Sequence, residues 1–367
     1  MLSIIQRAVH AFLYPGDADL FVRIVTAGYA LSAVGRLLPV RRKQIAGYRP
    51  NPRRTTVITA GGVLIASGLA ACAMVLPVQG HAPAQATMLT EGSGPELGVF
   101  EPGEWVSWQP VEQFASATGR NPSIVLLYSG WPGSFNAKFA DMAYAHKATP
   151  FIQIMPARDV SMSRVAQGSY DSELRTYAAQ VRAFGHVVIL SFAPEANGSW
   201  YRWGWGHTPV SVWVAAWRHV VTVFREQGAT NATWLWTMNI PFTHSGPVSA
   251  YWPGAAYVGI VGIDGYFIHR SDTFTSVFGP IISQVHKLTS KPVLISETAV
   301  GPVAGPSKIA GLFAGVKADH LLGLVWFDQA QHNGPYHQDW RLEDNPAALA
   351  AYRTAARNAA APRVRGP

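Results

Sequence analysis

The sequence predicts an α/β protein, a (β/α)8 barrel preceded by an N-terminal membrane segment. Three observations point there. From Glu96 onward, short runs rich in β-branched and aromatic residues alternate with helical stretches. Most of these runs are continuously apolar, the pattern of parallel strands covered on both faces. Eight such units in roughly 270 residues match the usual size of that barrel.

The leader comes first. Residues 1–54 hold nine Lys or Arg against two Asp or Glu, so nearly all of the formal charge of +8 sits there. The rest is close to neutral, which excludes a phosphate-backbone footprint and hence a nucleic-acid partner. Residues 1–56 are therefore expected as a basic cytoplasmic leader. Residues 57–78 carry no charge over 22 positions, enough for a helix to cross a bilayer of about 30 Å. Arg41, Arg42, Lys43, Arg49, Arg53 and Arg54 precede this segment, and the first charges after it are Glu91 and Glu96. By the positive-inside bias, everything beyond residue 78 lies outside the membrane.

That segment has three readings: a retained anchor, a signal cleaved near Ala84-Gln85-Ala86, or a lipidation signal ending at Cys72, the only cysteine. The expected location is the extracytoplasmic face of the membrane, or outside the cell if the leader is cleaved. Residues 79–95, rich in Pro, Ala and Gly, read as a flexible linker. Residues 96–360 are expected to form the (β/α)8 domain.

Within that domain the strands are placed at Leu97–Phe100, Ile124–Tyr128, Phe151–Met155, Val187–Phe192, Thr233–Met238, Tyr257–Gly262, Val293–Ser296 and Leu322–Phe327. The clearest helices are Tyr170–Phe184, Val210–Gln227, Phe278–Thr289 and Ser307–Asp319. An open doubly wound sheet is the alternative. It calls for a Gly-rich phosphate turn after the first strand, and Phe100-Glu101-Pro102-Gly103-Glu104 is not one.

A parallel barrel presents its chemistry at the C-terminal ends of its strands. The acids there are Glu101, Glu195, Asp264, Glu297 and Asp328. Glu195 is followed by Asn197-Gly198 and then by Trp200, Tyr201, Trp203 and Trp205. Aromatic faces stack on the C–H faces of sugar rings, amides bind sugar hydroxyls, and an apolar surround raises a carboxyl pKa as a general acid requires. Glu297 ends Val293-Leu294-Ile295-Ser296. Acids after strands four and seven of eight face each other across the mouth. At about 5–5.5 Å apart they would serve as acid/base and nucleophile of a retaining glycosidase.

Pro194 to Gly206 resembles the acid/base motif of glycoside hydrolase family 26, best known as β-mannanases. Tyr251-Trp252-Pro253-Gly254 with Val258 to Tyr266 resembles that family's sixth-strand signature. Pro292 to Glu297 resembles its nucleophile strand and Val325-Trp326-Phe327 its eighth. The resemblance implies a retaining endo-acting glycanase with Glu195 as acid/base and Glu297 as nucleophile. Tyr266 would orient Glu297, Trp326 would floor the subsite of the reacting sugar, and Trp200, Trp203 and Trp205 would add sugar contacts. The family's mannanases usually carry His directly before the acid/base Glu. Here that position is Pro194, which loosens the tie to mannan.

The expected partner is a polysaccharide or oligosaccharide substrate, of mannan type or a β-glucan. No metal ligand set, P-loop or dinucleotide fingerprint is present in the sequence, and no cofactor is expected. Two other readings are a catalytically silent polysaccharide-binding protein at the cell surface and a glycanase serving synthesis or export of the cell's own polysaccharide.

Overall fold

Eight parallel strands close on themselves in chain order in a computed structural model, which describes residues 94–331 and 337–359. The strands are β1 (Glu96–Phe100), β2 (Ile124–Trp131), β3 (Thr149–Pro156), β4 (Val188–Phe192), β5 (Ala232–Asn239), β6 (Ile260–Asp264), β7 (Val293–Thr298) and β8 (Gly323–Phe327). The architecture is the (β/α)8 barrel expected from the sequence. The leader, the 57–78 segment with Cys72 and the linker as far as residue 93 lie outside the described residues. Among the described residues no helix is long and apolar enough to cross a membrane.

The helical layer follows from amphipathic spacing. In α5 (Val210–Glu226) the buried residues Trp213, Ala216, Trp217, Val220, Val221 and Phe224 recur every three or four positions, giving one apolar stripe against the strands. The other helices are α1 (Gln109–Thr118), α2 (Ala137–Ala145), α3 (Met162–Ala166), α4 (Asp171–Phe184), α6 (Phe274–Leu288), α7 (Ser307–Ala318) and α8 (Pro346–Ala359). Several boundaries differ from expectation, and two of them have a visible cause. Helix α6 begins at Phe274 rather than Phe278 because Thr273 and Ser276 form a reciprocal cap ahead of it. Strand β6 begins at Ile260 because Ala255–Tyr257 form a 3-10 turn after Gly254, whose φ is +99°.

Closure occurs between β8 and β1, where Gly323 pairs with Glu96. A Cβ on Gly323 would lie 1.9 Å from the Glu96 carbonyl oxygen and 2.7 Å from its backbone carbon and nitrogen. The seam has no room for a side chain at that point. Gly323→Ala is expected to cost about 3 kcal/mol by overpacking, which for a domain of this size lowers Tm by roughly 6–12 °C. Thermal unfolding of the variant beside the parent measures it.

Candidate active site

The turn that carries Glu195 is built under strain. Ala193 and Glu195 both take left-handed conformations, with φ of 47° and 53°, and non-glycine residues held there persist only where surrounding contacts over-determine them. The contacts are visible. The Glu195 amide donates to Thr237 O on β5 at 3.0 Å. Trp203 Nε1 donates to Pro194 O at 2.8 Å, and Trp213 Nε1, from α5, donates to Ala193 O at 3.1 Å. Two indoles and one β5 carbonyl thus lock the turn.

Glu297 is aimed by a different device. Ile263 pairs with Ile295 but Asp264 pairs with Glu297, so Ser296 is an extra residue in β7, and the register with β8 shifts over the same stretch. Such a bulge redirects the side chain beside it. Ser296 Oγ donates to Asp264 Oδ1 at 2.5 Å, and both oxygens of Glu297 accept from tyrosines: Tyr266 on Oε1 and Tyr128 on Oε2.

Both glutamates remain partly exposed although their neighbours along the chain are buried, so both open onto the mouth. Glu195 accepts from Trp200 Nε1 at 3.0 Å on Oε2 and from Asn239 Nδ2 on Oε1. Burial drives the Glu195 carboxyl above its ordinary value, against the opposing pull of these two donors. Burial and then the Glu195 charge push Glu297 up to about 8, opposed by the two tyrosines. Asp264, wholly buried, is raised by burial and then by the charges of Glu297 and Glu195. Three carboxyl groups therefore lie within one another's field. They cannot all ionise at neutral pH.

The other two strand-end acids stand apart. Asp328 accepts from Trp326 Nε1 at 3.1 Å and from the Leu342 amide at 2.8 Å, anchoring the segment that follows β8. Glu101 is buried beside it, and burial and the Asp328 charge raise its carboxyl pKa.

The residues expected to contact sugar divide. Trp200 is at the mouth, its ring stacked on Phe242 with centroids 5.2 Å apart. Trp205 and Phe242 present exposed faces, at 37% and 40%. Trp203 is buried, stacked on Tyr201 and committed to Pro194. Asn197 is wholly buried, donating to the Asn239 carbonyl at 2.7 Å and accepting from the Asn239 amide at 3.0 Å. Its amide is turned to the backbone of the residue that holds Glu195, and its burial keeps it from a sugar hydroxyl.

Trp326 does not reach the mouth. Its ring meets Tyr352 of α8 edge-on at 5.4 Å, while its indole N–H is shared by Asp328 and the Trp340 carbonyl. The next residue, Phe327, points inward and packs on Phe100, Tyr128 and Tyr266. The indole next to Tyr266 belongs instead to Trp340, at 4.7 Å. Tyr128, Asn239 and Trp340 were not singled out by sequence. The first two are the terminal or near-terminal polar residues of apolar strands, a weak signal. Trp340 carried only the signal of its residue type.

Comparison with known proteins bears on this geometry. Residues 172–354 match the model of glycosyl hydrolase family 26. The chain is 28% identical over 274 residues to endoglucanase H of Acetivibrio thermocellus, an alignment covering 69% of this chain and 30% of that protein. It is 30% identical over 136 residues to mannan endo-1,4-β-mannosidase A and B of Caldalkalibacillus mannanilyticus, covering 35% and 24%. The chain thus spans less than a third of either relative. A solved family 26 β-mannanase of Bacteroides ovatus shares the fold at a TM-score of 0.59 and 15% identity, over 74% of this chain and 91% of that one.

Two outcomes are expected. A reaction that needs one of the paired glutamates ionised and the other protonated has a bell-shaped pH profile. Below the first ionisation both carry protons, and above the second neither does. The alkaline limb of kcat/KM should therefore fall only as pH rises above the ordinary carboxylate range, where Glu195, raised by burial, loses its proton. Asn197→Ala should lower kcat with little change in KM, because Asn239 loses its clamp. Two unpaired buried groups also cost about 1–3 kcal/mol, which a thermal melt reads.

Proposed function

Because the chain belongs to glycosyl hydrolase family 26, we propose that it is a retaining, endo-acting glycanase that hydrolyses a β-linked polysaccharide, of mannan type or a β-glucan, outside the cell membrane. The observation that carries this reading is the pair Glu195 and Glu297. They open onto one mouth from the ends of opposite strands, each held by two donors and each raised by burial.

In the first step a Glu297 oxygen bonds to the anomeric carbon as the bond to the leaving oxygen breaks, and the Glu195 proton passes to that oxygen. In the second step Glu195 takes a proton from water, whose oxygen bonds to the same carbon and releases Glu297. The strain at Ala193 and Glu195 fixes the acid, and the β7 bulge fixes the nucleophile. Reactants are thereby held in place before the sugar arrives. Trp200, Trp205 and Phe242 supply the aromatic surface for sugar rings on the side of Glu195, which is the leaving-group side. Pro194 offers the reacting sugar no polar group, and the longest curated alignment is to a protein named an endoglucanase, so β-glucan ranks beside mannan.

A reducing-sugar screen of the chain against mannan, mixed-linkage glucan, β-1,3-glucan and xylan identifies the substrate. Glu195→Ala and Glu297→Ala are each expected to lose several orders of magnitude in rate on it. Near-parental turnover by either variant on the active polysaccharide refutes the assignment.

A further inference from the structure

We propose that Tyr128 is a positioning residue for the nucleophile, its hydroxyl holding one oxygen of Glu297 while Tyr266 holds the other. This rests on the reading of Glu297 as nucleophile and adds to it a residue that neither the sequence motifs nor the comparisons assign.

The case is geometric. Tyr128 lies on β2, far from β7 in sequence and outside every motif. Its ring is fixed between aromatic side chains from two other strands, β1 and β8. Phe100 meets it edge-on at 4.9 Å and Phe327 at 6.4 Å, while Phe100 and Phe327 stack on each other at 5.0 Å. A ring caged in this way keeps one rotamer, so its hydroxyl has a fixed place. That place is on Glu297 Oε2. Tyr266 reaches Oε1 from β6, and its ring also packs on Phe327, at 5.9 Å. The carboxylate is held at both ends by two hydroxyls whose rings share one wall.

Such an arrangement has two effects on an attacking carboxylate. It fixes the rotation of the group, so that a lone pair keeps its direction toward the anomeric carbon. It also stabilises the ionised form inside a mouth where burial and Glu195 disfavour it. One tyrosine would leave the second oxygen exposed to both pressures. Tyr128 touches neither the breaking bond nor the leaving group; it acts through Glu297.

The test is covalent labelling of the full chain with 2,4-dinitrophenyl 2-deoxy-2-fluoro-β-cellobioside and, in parallel, the corresponding β-mannobioside, followed by intact mass across pH. The parent should form an adduct on Glu297. Tyr128→Phe should label about 10- to 100-fold more slowly, the worth of a hydrogen bond to a charged group. Its acidic limb should also move up by about 1 pH unit or more, because the ionised carboxylate has lost a donor. A purely packing role would leave that limb in place. Should the phenylalanine variant not fold, 3-fluorotyrosine at position 128 keeps the shape and makes the hydroxyl a stronger donor, and the limb should move down. An adduct on the parent with rate and limb unchanged in the altered protein overturns the role of Tyr128 alone. No adduct on Glu297 from either probe overturns the nucleophile assignment and the Tyr128 role with it.

Discussion

Two carboxyl groups kept half-dry within each other's field are the constraint to which the rest of this barrel answers. In water each would ionise below pH 5, and they would repel only weakly. At the mouth, burial raises both, and the charge of Glu195 raises Glu297 further. Placing charge there is expensive, and the structure offsets it with donors: Trp200 and Asn239 for one acid, Tyr128 and Tyr266 for the other. Behind them lies Asp264, held by Ser296. The four donors come from four different strands or the loops after them, β4, β5, β2 and β6. A closed barrel alone brings β2, β4, β5, β6 and β7 to one opening.

The tryptophans serve this constraint more as fasteners than as surfaces. All 13 lie between Trp105 and Trp340, and an indole face needs either a core or a ligand to cover it. Yet Trp203, Trp213, Trp217, Trp326 and Trp340 each direct an indole N–H to a carbonyl or amide oxygen in the protein. A buried indole combines a large apolar area with one obligatory donor. It can therefore fill the layer between strand and helix and at the same time tie down a turn that lacks regular hydrogen bonds. The strained turn at Glu195 is held by two of them. Of the tryptophans only Trp105 and Trp205 are exposed, while Trp200 and Trp252 are half-buried.

What the sequence disclosed and what it hid follow from the same physics. The eight strands were legible because strands covered on both faces are long apolar runs punctuated by turns. That same continuity erased the alternation that tells inside from outside. Val325-Trp326-Phe327 offers no period of two, and the resemblance alone put Trp326 at the mouth. Packing reversed the choice, with Trp326 against Tyr352 and Phe327 against Tyr128. The proposed pair was legible as two of five strand-end acids, Glu195 singled out by the aromatic run after it and Glu297 by its place across the barrel. Tyr128 was not, since its partner is 169 positions away and only barrel closure brings them together. Asn197 failed in the opposite way. An amide beside a candidate acid reads as a ligand for sugar, and nothing local reveals that the Asn239 backbone takes both its hydrogen bonds.

The division between strand ends and loops also bears on substrate choice. The groups assigned to bond breaking sit on strand ends or on turns fastened to them, where position is set by the barrel itself. The groups left to recognise the sugar, Trp205 and Phe242, stand on the loops after β4 and β5 with exposed faces. Loops change without disturbing a barrel, so the same acids can be served by different rims. Pro194 fits this partition. Its carbonyl is taken by Trp203 and its ring has no polar atom, so the residue before the acid contributes to the shape of the turn and nothing to the sugar. Discrimination between epimeric hexoses must then come from hydrogen bonds made elsewhere around the reacting ring, where aromatic stacking alone distinguishes poorly between them.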